Sequence, residues 1–411
     1  MVSVALVLCP NPILSTPSMY PNLGLMYLAA MLERQGITPH IVDMRRLKGV
    51  DVGLIPMDVE FVGISATSGE IDYARSLAWE LRRRAQNHRT PHIIIGGAHA
   101  SLMPEDCEGD FDTVVVGEGE EVLPAIIAEH IKGKVISPRI KNLDLLPFPA
   151  RHLFDCFSTS LFPGEKYGEG QKATTILWTR GCPFTCKFCA NIYHTVTYRS
   201  SANIKAEMEH LIRDFDCRAF RLEDDNLGVN ISWFNAVCEA LPKDIRLKGH
   251  VRANLVNDTL CKILVKAGFE ECGVGVESMD DRVLKLIGKG TTAEDNYRAV
   301  ETLKRHGLRV RVYFMSGLPG ETEETVQKNM TFMCRAKPDK WTLSFMILYP
   351  GCEIRENPDK FGMVLPPSPG RAFQYWNFAP ASIALKDASR EVLQERHDRF
   401  KQFLVKEEWR S

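Results

Sequence analysis

Three cysteines fall within eight residues, in Arg180-Gly181-Cys182-Pro183-Phe184-Thr185-Cys186-Lys187-Phe188-Cys189. Thiolates at this C-x3-C-x2-C spacing suit a soft metal centre, zinc or iron–sulfur. Structural zinc takes four ligands, and the nearby sequence adds only His194, with no second C-x2-C pair to complete a site. Three thiolates on a four-iron cubane leave one iron open to a substrate or cofactor, which three cysteines in one tight loop suit better. The other nine of the twelve cysteines, Cys238, Cys261 and Cys334 among them, read as buried thiols in apolar stretches. Twelve in 411 residues is too dilute for a disulfide scaffold.

Rigid elements must carry such a loop. From Thr174 onward, strand-like runs alternate with helix-like ones: Thr174 to Trp178, Arg218 to Leu222, Arg246 to His250, Gly273 to Val276, Leu308 to Phe314 and Trp341 to Leu348. One helix opens near Ser201 and another closes at Gly307. Six βα repeats make a partial TIM barrel rather than a complete eight-fold one. In the fifth strand, Val310, Val312 and Phe314 alternate with Arg309, Arg311 and Tyr313, giving one apolar and one polar face. The cysteine loop follows the first strand, at the edge where parallel sheets bind ligands.

The first 136 residues read as a separate Rossmann-like, doubly wound parallel sheet. Val2 to Cys9, Phe61 to Ala66, His92 to Ile95 and Thr113 to Val116 are continuous apolar runs, as strands covered on both faces require. Leu25, Leu28, Ala29 and Leu32 recur at helical spacing and stop at Gly36; Ala74, Leu77, Ala78 and Leu81 mark a second helix. Arg82, Arg83 and Arg84 close that helix and read as a solvated face. The strands end in Cys9-Pro10-Asn11-Pro12, Ser65-Ala66-Thr67-Ser68, Gly96-Gly97-Ala98-His99 and Gly117-Glu118-Gly119-Glu120. No G-x-G-x-x-G follows the first strand, which argues against a nicotinamide or flavin dinucleotide.

Residues 137–171, with Pro138, Pro147, Pro149 and Pro163, read as a linker or an irregular wrapping segment, and 172–350 as the barrel domain. Residues 351–411 form a helical extension in which Phe373, Tyr375, Trp376 and Phe378 precede an amphipathic helix bearing Val392, Leu393, Phe400, Phe403 and Leu404. Lys plus Arg number 51 against 52 Asp plus Glu, a net charge of −1, so bulk attraction to nucleic acid or an anionic membrane is not expected. No apolar run reaches the roughly 18 residues of a membrane span, and the opening MVSVALVLC has the pattern of a strand rather than a signal peptide. A cytoplasmic protein is expected.

The cysteine loop, its place after the first strand, and the flanking Gly181 and Phe188 resemble the radical S-adenosylmethionine (SAM) enzymes. The resemblance implies a [4Fe–4S] cluster on Cys182, Cys186 and Cys189 whose open iron is chelated by SAM and whose electron releases a 5′-deoxyadenosyl radical. It extends to Glu223-Asp224-Asp225-Asn226 after the second strand, where the family touches the methionine amino group. Gly275-Val276-Glu277-Ser278 with Gly288-Lys289-Gly290 matches the segment near the ribose and carboxylate, and Gly317-Leu318-Pro319-Gly320-Glu321-Thr322 the turn near adenine. Phe188, Glu223, Asp224, Asp225, Glu277, Ser278, Gly317 and Leu318 are the SAM-site residues so implied.

The first domain resembles the cobalamin-binding domain that precedes many radical SAM domains. The ordered segments are Pro21-Asn22-Leu23-Gly24, Val62-Gly63-Ile64-Ser65-Ala66-Thr67, Ile95-Gly96-Gly97-Ala98-His99 and Gly117-Glu118-Gly119-Glu120, with Leu145-Leu146-Pro147-Phe148-Pro149 as the connecting stretch. The resemblance implies a corrin cradled by Leu23, Gly24, Ser65, Ala66, Thr67, Gly96, Gly97, His99, Gly117, Glu118, Gly119 and Glu120. Asp-x-His-x-x-Gly is missing, since Pro10 to Pro21 holds no His, so cobalt would have a weak lower ligand or none. The expected activity is a cobalamin-dependent radical SAM enzyme methylating an unactivated carbon of a small molecule or peptide, reduced by a flavodoxin or ferredoxin. The alternatives are a radical rearrangement, cyclisation or oxidation, and, from another class, a non-catalytic cofactor-binding sensor or electron carrier. Methylthio transfer fits less well, because the first domain holds only Cys9 and Cys107 and so no second cysteine set.

Overall fold

The computed structural model describes residues 2–11, 21–85, 90–162, 170–365 and 383–406. The chain divides into two compact units, Met1–Gly170 and Gln171–Ser411.

In the first unit β1 (Val4–Leu8), β2 (His40–Asp43), β3 (Phe61–Ser65), β4 (His92–Gly96), β5 (Thr113–Val116) and β6 (Gly133–Ile136) form one parallel sheet in the order β2-β1-β3-β4-β5-β6. Its helices are α1 (Leu23–Arg34), α2 (Ile71–Arg84), α3 (Ala98–Leu102), α4 (Pro104–Cys107) and α5 (Val122–Glu129). Both faces are covered, which is why the central strands are apolar throughout. Val7, Val62, Ile64, Ile93 and Ile95 pack against Ala74, Leu77, Ala78 and Leu81 of α2. Leu6, Leu8, Phe61 and Ile94 pack against Leu25, Ala29 and Leu32 of α1 and Ile126 of α5. The strand order reverses between β1 and β3, the switch point at which open α/β sheets take ligands.

In this unit the Pro-rich stretch takes the wrapping form, and one expectation changes. The Pro-rich stretch is a packed strap: Ile140, Leu143 and Leu146 bury against Tyr27 and Met31 of α1, and the Ala150 amide donates to the Met26 carbonyl (3.0 Å). The arginine run is only partly a solvated face. Arg83 pairs with Glu80, but Arg82 donates to the Asp110 carbonyl (2.5 Å) and Arg84 to the Val52 and Ile55 carbonyls (2.7 and 2.9 Å), clamping loops beside α2.

In the second unit β7 (Ala173–Ile176) leads into a hairpin of β8 (Thr179–Arg180) and β9 (Thr197–Tyr198). The parallel sheet continues through β10 (Ala219–Leu222), β11 (Arg246–Val251), β12 (Phe269–Glu277), β13 (Arg309–Ser316) and β14 (Lys340–Phe345), in the order β14-β13-β12-β11-β10-β7. It curls into a half-barrel. The helices are α6 (Ser201–Phe215), α7 (Ile231–Ala240), α8 (Asp258–Ala267), α9 (Asp281–Leu286), α10 (Ala293–Arg305) and α11 (Glu323–Ala336), followed by α12 (Glu353–Glu356) and α13 (Arg390–Lys406). Val310, Val312 and Phe314 lie buried on the helix side, where Phe314 meets Phe332 of α11 and Phe400 of α13 edge-on; Arg309, Arg311 and Tyr313 face inward.

Leu393, Phe400 and Leu404 of α13 are buried, while Val392 is exposed. The aromatic group Phe373, Tyr375, Trp376 and Phe378 lies outside the described residues. Of the cysteines expected inside, Cys261 is buried, but Cys238 is half-buried and Cys334 exposed, since α11 turns that position away from the sheet. Among the described residues no helix is long and apolar enough to cross a membrane.

Candidate active site

The cysteine loop is anchored at both ends. After β10, Asp224 accepts hydrogen bonds from the Trp178 amide (3.0 Å) and the Thr179 hydroxyl (2.6 Å), tying the end of β10 to the start of the loop. Burial pushes its carboxyl up to about 6, against those two donors. Within the loop, the Cys182 amide donates to the Tyr193 carbonyl (3.1 Å), Asn191 Nδ2 to the Cys182 carbonyl (2.7 Å), and the Lys187 amide to the Ile287 carbonyl (2.9 Å). Gly181, at φ +94°, supplies the left-handed turn where the chain leaves β8.

Two donors reach the sulfurs. Asn226 Nδ2 stands 3.2 Å from Cys182 Sγ and Arg252 Nη1 3.3 Å from Cys186 Sγ. Arg252 is buried at the end of β11, with its guanidinium 4.0 Å from the Phe184 ring. Desolvation pushes the Cys189 thiol up to about 11, with Cys186, Asp225 and Cys182 adding like-charge repulsion. As metal-bound thiolates the three would crowd negative charge in front of two donors, which suits a cationic group that shares that charge. Among the described residues no three His, Cys, Asp or Glu side chains converge on one point as a single metal ion requires, and His194 is exposed. A cluster differs, because each thiolate binds its own iron. The residues fit a [4Fe–4S] cluster.

Around the loop, Glu223 is half-buried, and burial raises its carboxyl above the usual range; Arg221 Nε lies 3.2 Å away without hydrogen-bond geometry. Asp225 is exposed. Glu277 ends β12 in left-handed backbone (φ +61°), at a register shift against β13, and its Oε1 meets Lys289 Nζ at 2.8 Å. A Cβ on Gly275 would stand 2.6 Å from that oxygen and 2.8 Å from that ammonium, so only glycine leaves room for the pair. Lys289 Nζ also sits 5.8 Å from the Phe188 ring centre, joining this pair to the loop. The Gly317 amide donates to Glu321 Oε2 (2.9 Å).

Three expected SAM contacts are occupied inside the protein. Asp224 clamps Trp178 and Thr179. Ser278 is buried, its Oγ accepting the Asp280 amide (3.2 Å) and its carbonyl the Asn296 side chain (3.3 Å). Leu318 is sealed in an apolar group with Val283, Leu284 and Phe345. In their place the structure brings Asn226, Arg252 and Lys289 to the loop. Asn226 and Lys289 lie within segments the sequence singles out; Arg252 carries no motif, and only its position just past a strand end marks it. A small cleft beside Asn226 is lined also by Thr179, Tyr198 and Trp233.

At the carboxyl edge of the first sheet, Glu70 holds the loops after β1 and β3 together, accepting from Asn11 Nδ2 (2.7 Å) and from the Thr67 amide and hydroxyl (2.8 and 2.9 Å). Gly97, at φ +93°, leaves no space for a Cβ, which would lie 2.9 Å from the Ala66 carbonyl and the Ser65 hydroxyl. Gly119 lets Leu28 approach, and the Gly117 amide donates to Ser101 Oγ (3.0 Å). His99 departs from expectation. It is fully buried, with Nδ1 3.0 Å from Ser68 Oγ and Nε2 2.9 Å from Asp106, so neither nitrogen is left for a cofactor. Glu118 is likewise committed, holding Arg139 Nη1 (3.1 Å) and the Ile140 amide (2.6 Å) of the strap, and Glu120 is buried. Ala66 is buried; Gly24 and Thr67 are exposed, while Leu23, Ser65, Gly96, Gly97, Gly117 and Gly119 are partly so. Among the described residues this edge is built largely of small residues, which fits a broad flat ligand such as a corrin.

Comparison with known proteins agrees with the two units. Residues 13–127 match the B12 binding domain model and residues 176–333 the radical SAM superfamily model. An uncharacterized protein of Methanocaldococcus jannaschii is 39% identical over 366 residues, covering 75% of this chain and 71% of that protein. An uncharacterized methyltransferase of Pyrococcus horikoshii is 27% identical over 370 residues, 82% of this chain and 78% of its own. The structure of the radical SAM methyltransferase TsrM from Kitasatospora setae, with cobalamin and a [4Fe–4S] cluster bound, superposes at a TM-score of 0.64 with 19% identity, covering 86% of this chain and 77% of that one. The chain belongs to the cobalamin-binding-domain branch of the radical SAM enzymes, the methyltransferase-like class B, and its cofactors are a [4Fe–4S] cluster, SAM and cobalamin.

Proposed function

We propose that this protein is a cobalamin-dependent radical SAM methyltransferase that methylates an unactivated carbon of a small molecule or peptide, in the cytoplasm, with electrons from a flavodoxin or ferredoxin. The observation that carries the reading is the donor pair on the loop, Asn226 on Cys182 and Arg252 on Cys186, which suits thiolates carrying a cluster rather than free thiols. The bound cluster and SAM supply a hydrogen-abstracting radical, and the bound cobalamin supplies the methyl group.

The chain's own residues bind and orient. Cys182, Cys186 and Cys189 hold the cluster. Asn226 and Arg252 donate to its thiolates and thereby set its potential. Glu223 and Asp225 accept from the methionine ammonium, a charge-assisted contact. Glu277, fixed by Lys289, faces the ribose, and the backbone at Gly317 borders the adenine. In the first unit the strand ends at 65–67, 96–97, 117 and 119 form the platform for the corrin. His99 is bonded to Ser68 and Asp106, so these strand ends would hold the corrin through backbone and small side chains, and the cobalamin would supply the methyl group.

The test is anaerobic turnover with dithionite and SAM labelled in its methyl group. Deoxyadenosine should form, and should vanish in a Cys182→Ala/Cys186→Ala/Cys189→Ala variant. Label in the product establishes methyl transfer. Deoxyadenosine formed by the triple variant would sink the radical reading, and a rearranged, unlabelled product would replace methylation.

A further inference from the structure

The inner face of the half-barrel carries an excess of positive charge that the cofactor chemistry does not use. Apart from Glu277, which pairs with Lys289, and Arg221, which lies 3.2 Å from Glu223, the six strands bear five basic side chains, Arg246, Lys248, Arg309, Arg311 and Lys340, against two acidic ones, Glu270 and Glu271. The chain as a whole is close to neutral, at −1. Register places these residues side by side: Arg221 opposite Lys248, Lys248 opposite Glu271, Glu271 opposite Arg309, and Arg311 opposite Lys340.

Glu270 is engaged bidentately by Arg246 (2.5 and 2.8 Å), with Arg309 at 3.8 Å. Glu271 is shared three ways, by Lys340 (3.1 Å), Arg311 (3.5 Å) and Lys248 (3.9 Å). The cations outnumber the carboxylates Glu270 and Glu271 on this wall, and Lys248 and Glu271 are both buried, where water screens little. Burial, the largest cause, pulls the Lys248 ammonium down to about 8, and the cations Lys340 and Arg309 pull the same way. In the adjoining layer His250 Nε2 and Tyr313 Oη meet at 3.1 Å across Gly273, where a Cβ would stand 2.6 Å from the imidazole, and Thr342 Oγ1 lies 3.4 Å from Arg311. Hydroxyls, an imidazole and fixed cations converge on one wall, and a cleft lined by one sign of charge draws the opposite sign.

We propose that the substrate carries an oxyanion, a carboxylate or a phosphate, held on this inner wall by Lys248, Arg311 and Lys340. The inference rests on the methyltransferase reading for the word substrate, while the binding itself requires no turnover. The anion offsets the excess of basic over acidic side chains on this wall, and Arg311 supplies the planar fork that such groups accept. Anchored there, the substrate has its uncharged part left to meet the radical.

The test is calorimetric titration of the anaerobic, cofactor-loaded protein with pyrophosphate and, separately, succinate. Binding of pyrophosphate alone assigns a phosphate substrate, binding of succinate alone a carboxylate, and binding of both the shared oxyanion chemistry. Lys248→Met and Arg311→Met should each weaken the bound probe about tenfold. Glu271→Gln, which frees the three cations from their one carboxylate, should tighten it severalfold, a direction that mere loss of packing would not produce. Should either Met variant misfold, the Glu271→Gln result alone decides. Binding of neither probe, or binding that none of these variants changes, overturns the proposal. Deoxyadenosine assayed in parallel separates the two readings: anion binding without it leaves this site standing and removes the radical function.

Discussion

Replacing Lys289 with Met should destabilise the second unit by about 3–5 kcal/mol, and adding Glu277→Gln should return most of that loss. Lys289 Nζ and Glu277 Oε1 are 2.8 Å apart, with about a tenth of each side chain exposed. At an effective dielectric near 20 their attraction is about 6 kcal/mol, opposed by a desolvation penalty of several kcal/mol for each ion. The intact pair therefore contributes little net stability, whereas the single variant leaves an unpaired buried carboxylate, the case that costs about 3–5 kcal/mol. Glu277 adds strain of its own, holding left-handed backbone at φ +61° where the ladder between β12 and β13 shifts register. Unfolding in urea followed by tryptophan fluorescence reports chiefly on this unit, because five of the six tryptophans lie in it. SAM binding, measured in the same preparations, should fall in both variants, since the carboxylate is lost functionally either way. A Lys289→Met loss below about 1 kcal/mol, or a double variant no more stable than the single one, would refute the reasoning.

Three further outcomes follow from the geometry. Asn226→Ala and Arg252→Met each remove a donor from a cluster thiolate and should lower the cluster's midpoint potential by tens of millivolts, where about 59 mV is a tenfold one-electron bias; an anaerobic redox titration followed by electron paramagnetic resonance reads it, and an unchanged potential removes both residues from the cluster's surroundings. Gly97→Ala should cost about 1–3 kcal/mol and weaken corrin uptake, because φ +93° and a Cβ 2.9 Å from the Ala66 carbonyl oppose any side chain there; cobalamin absorbance after reconstitution, beside the thermal midpoint, checks both. Glu321 is buried and its carboxyl is pushed up to about 7 from 4.5, so its contribution to stability is full below about pH 4.5 and is lost as pH rises through 7. Glu321→Gln should thus gain on the wild type between pH 5 and pH 8, by at most about 3 kcal/mol, and equal unfolding midpoints at the two pH values would contradict it.

What the sequence displays and what it conceals divide along physical lines. The central strands of the first sheet are legible because both faces are buried and every residue must be apolar, as in Val4–Leu8 and His92–Gly96. β2 and β6 are not, because edge strands such as His40–Asp43 and Gly133–Ile136 leave most side chains in water and carry no continuous apolar run. The same asymmetry governs the site. Cys182, Cys186 and Cys189 announce themselves because a loop can bring three thiols together by local spacing alone. A carboxylate at a strand end carries no such guarantee: Asp224 and Asp225 are adjacent and chemically alike, yet one is consumed by Trp178 and Thr179 while the other is exposed. His99 and Glu118 fail as ligand contacts for that reason, each absorbed by partners far along the chain, Ser68 and Ile140 among them. Arg252 is the converse, a residue without a motif that reaches Cys186 because β11 ends beside the loop. Pattern therefore reveals which elements converge, and only the hydrogen-bond ledger of the folded chain decides which polar groups at the convergence remain available for chemistry.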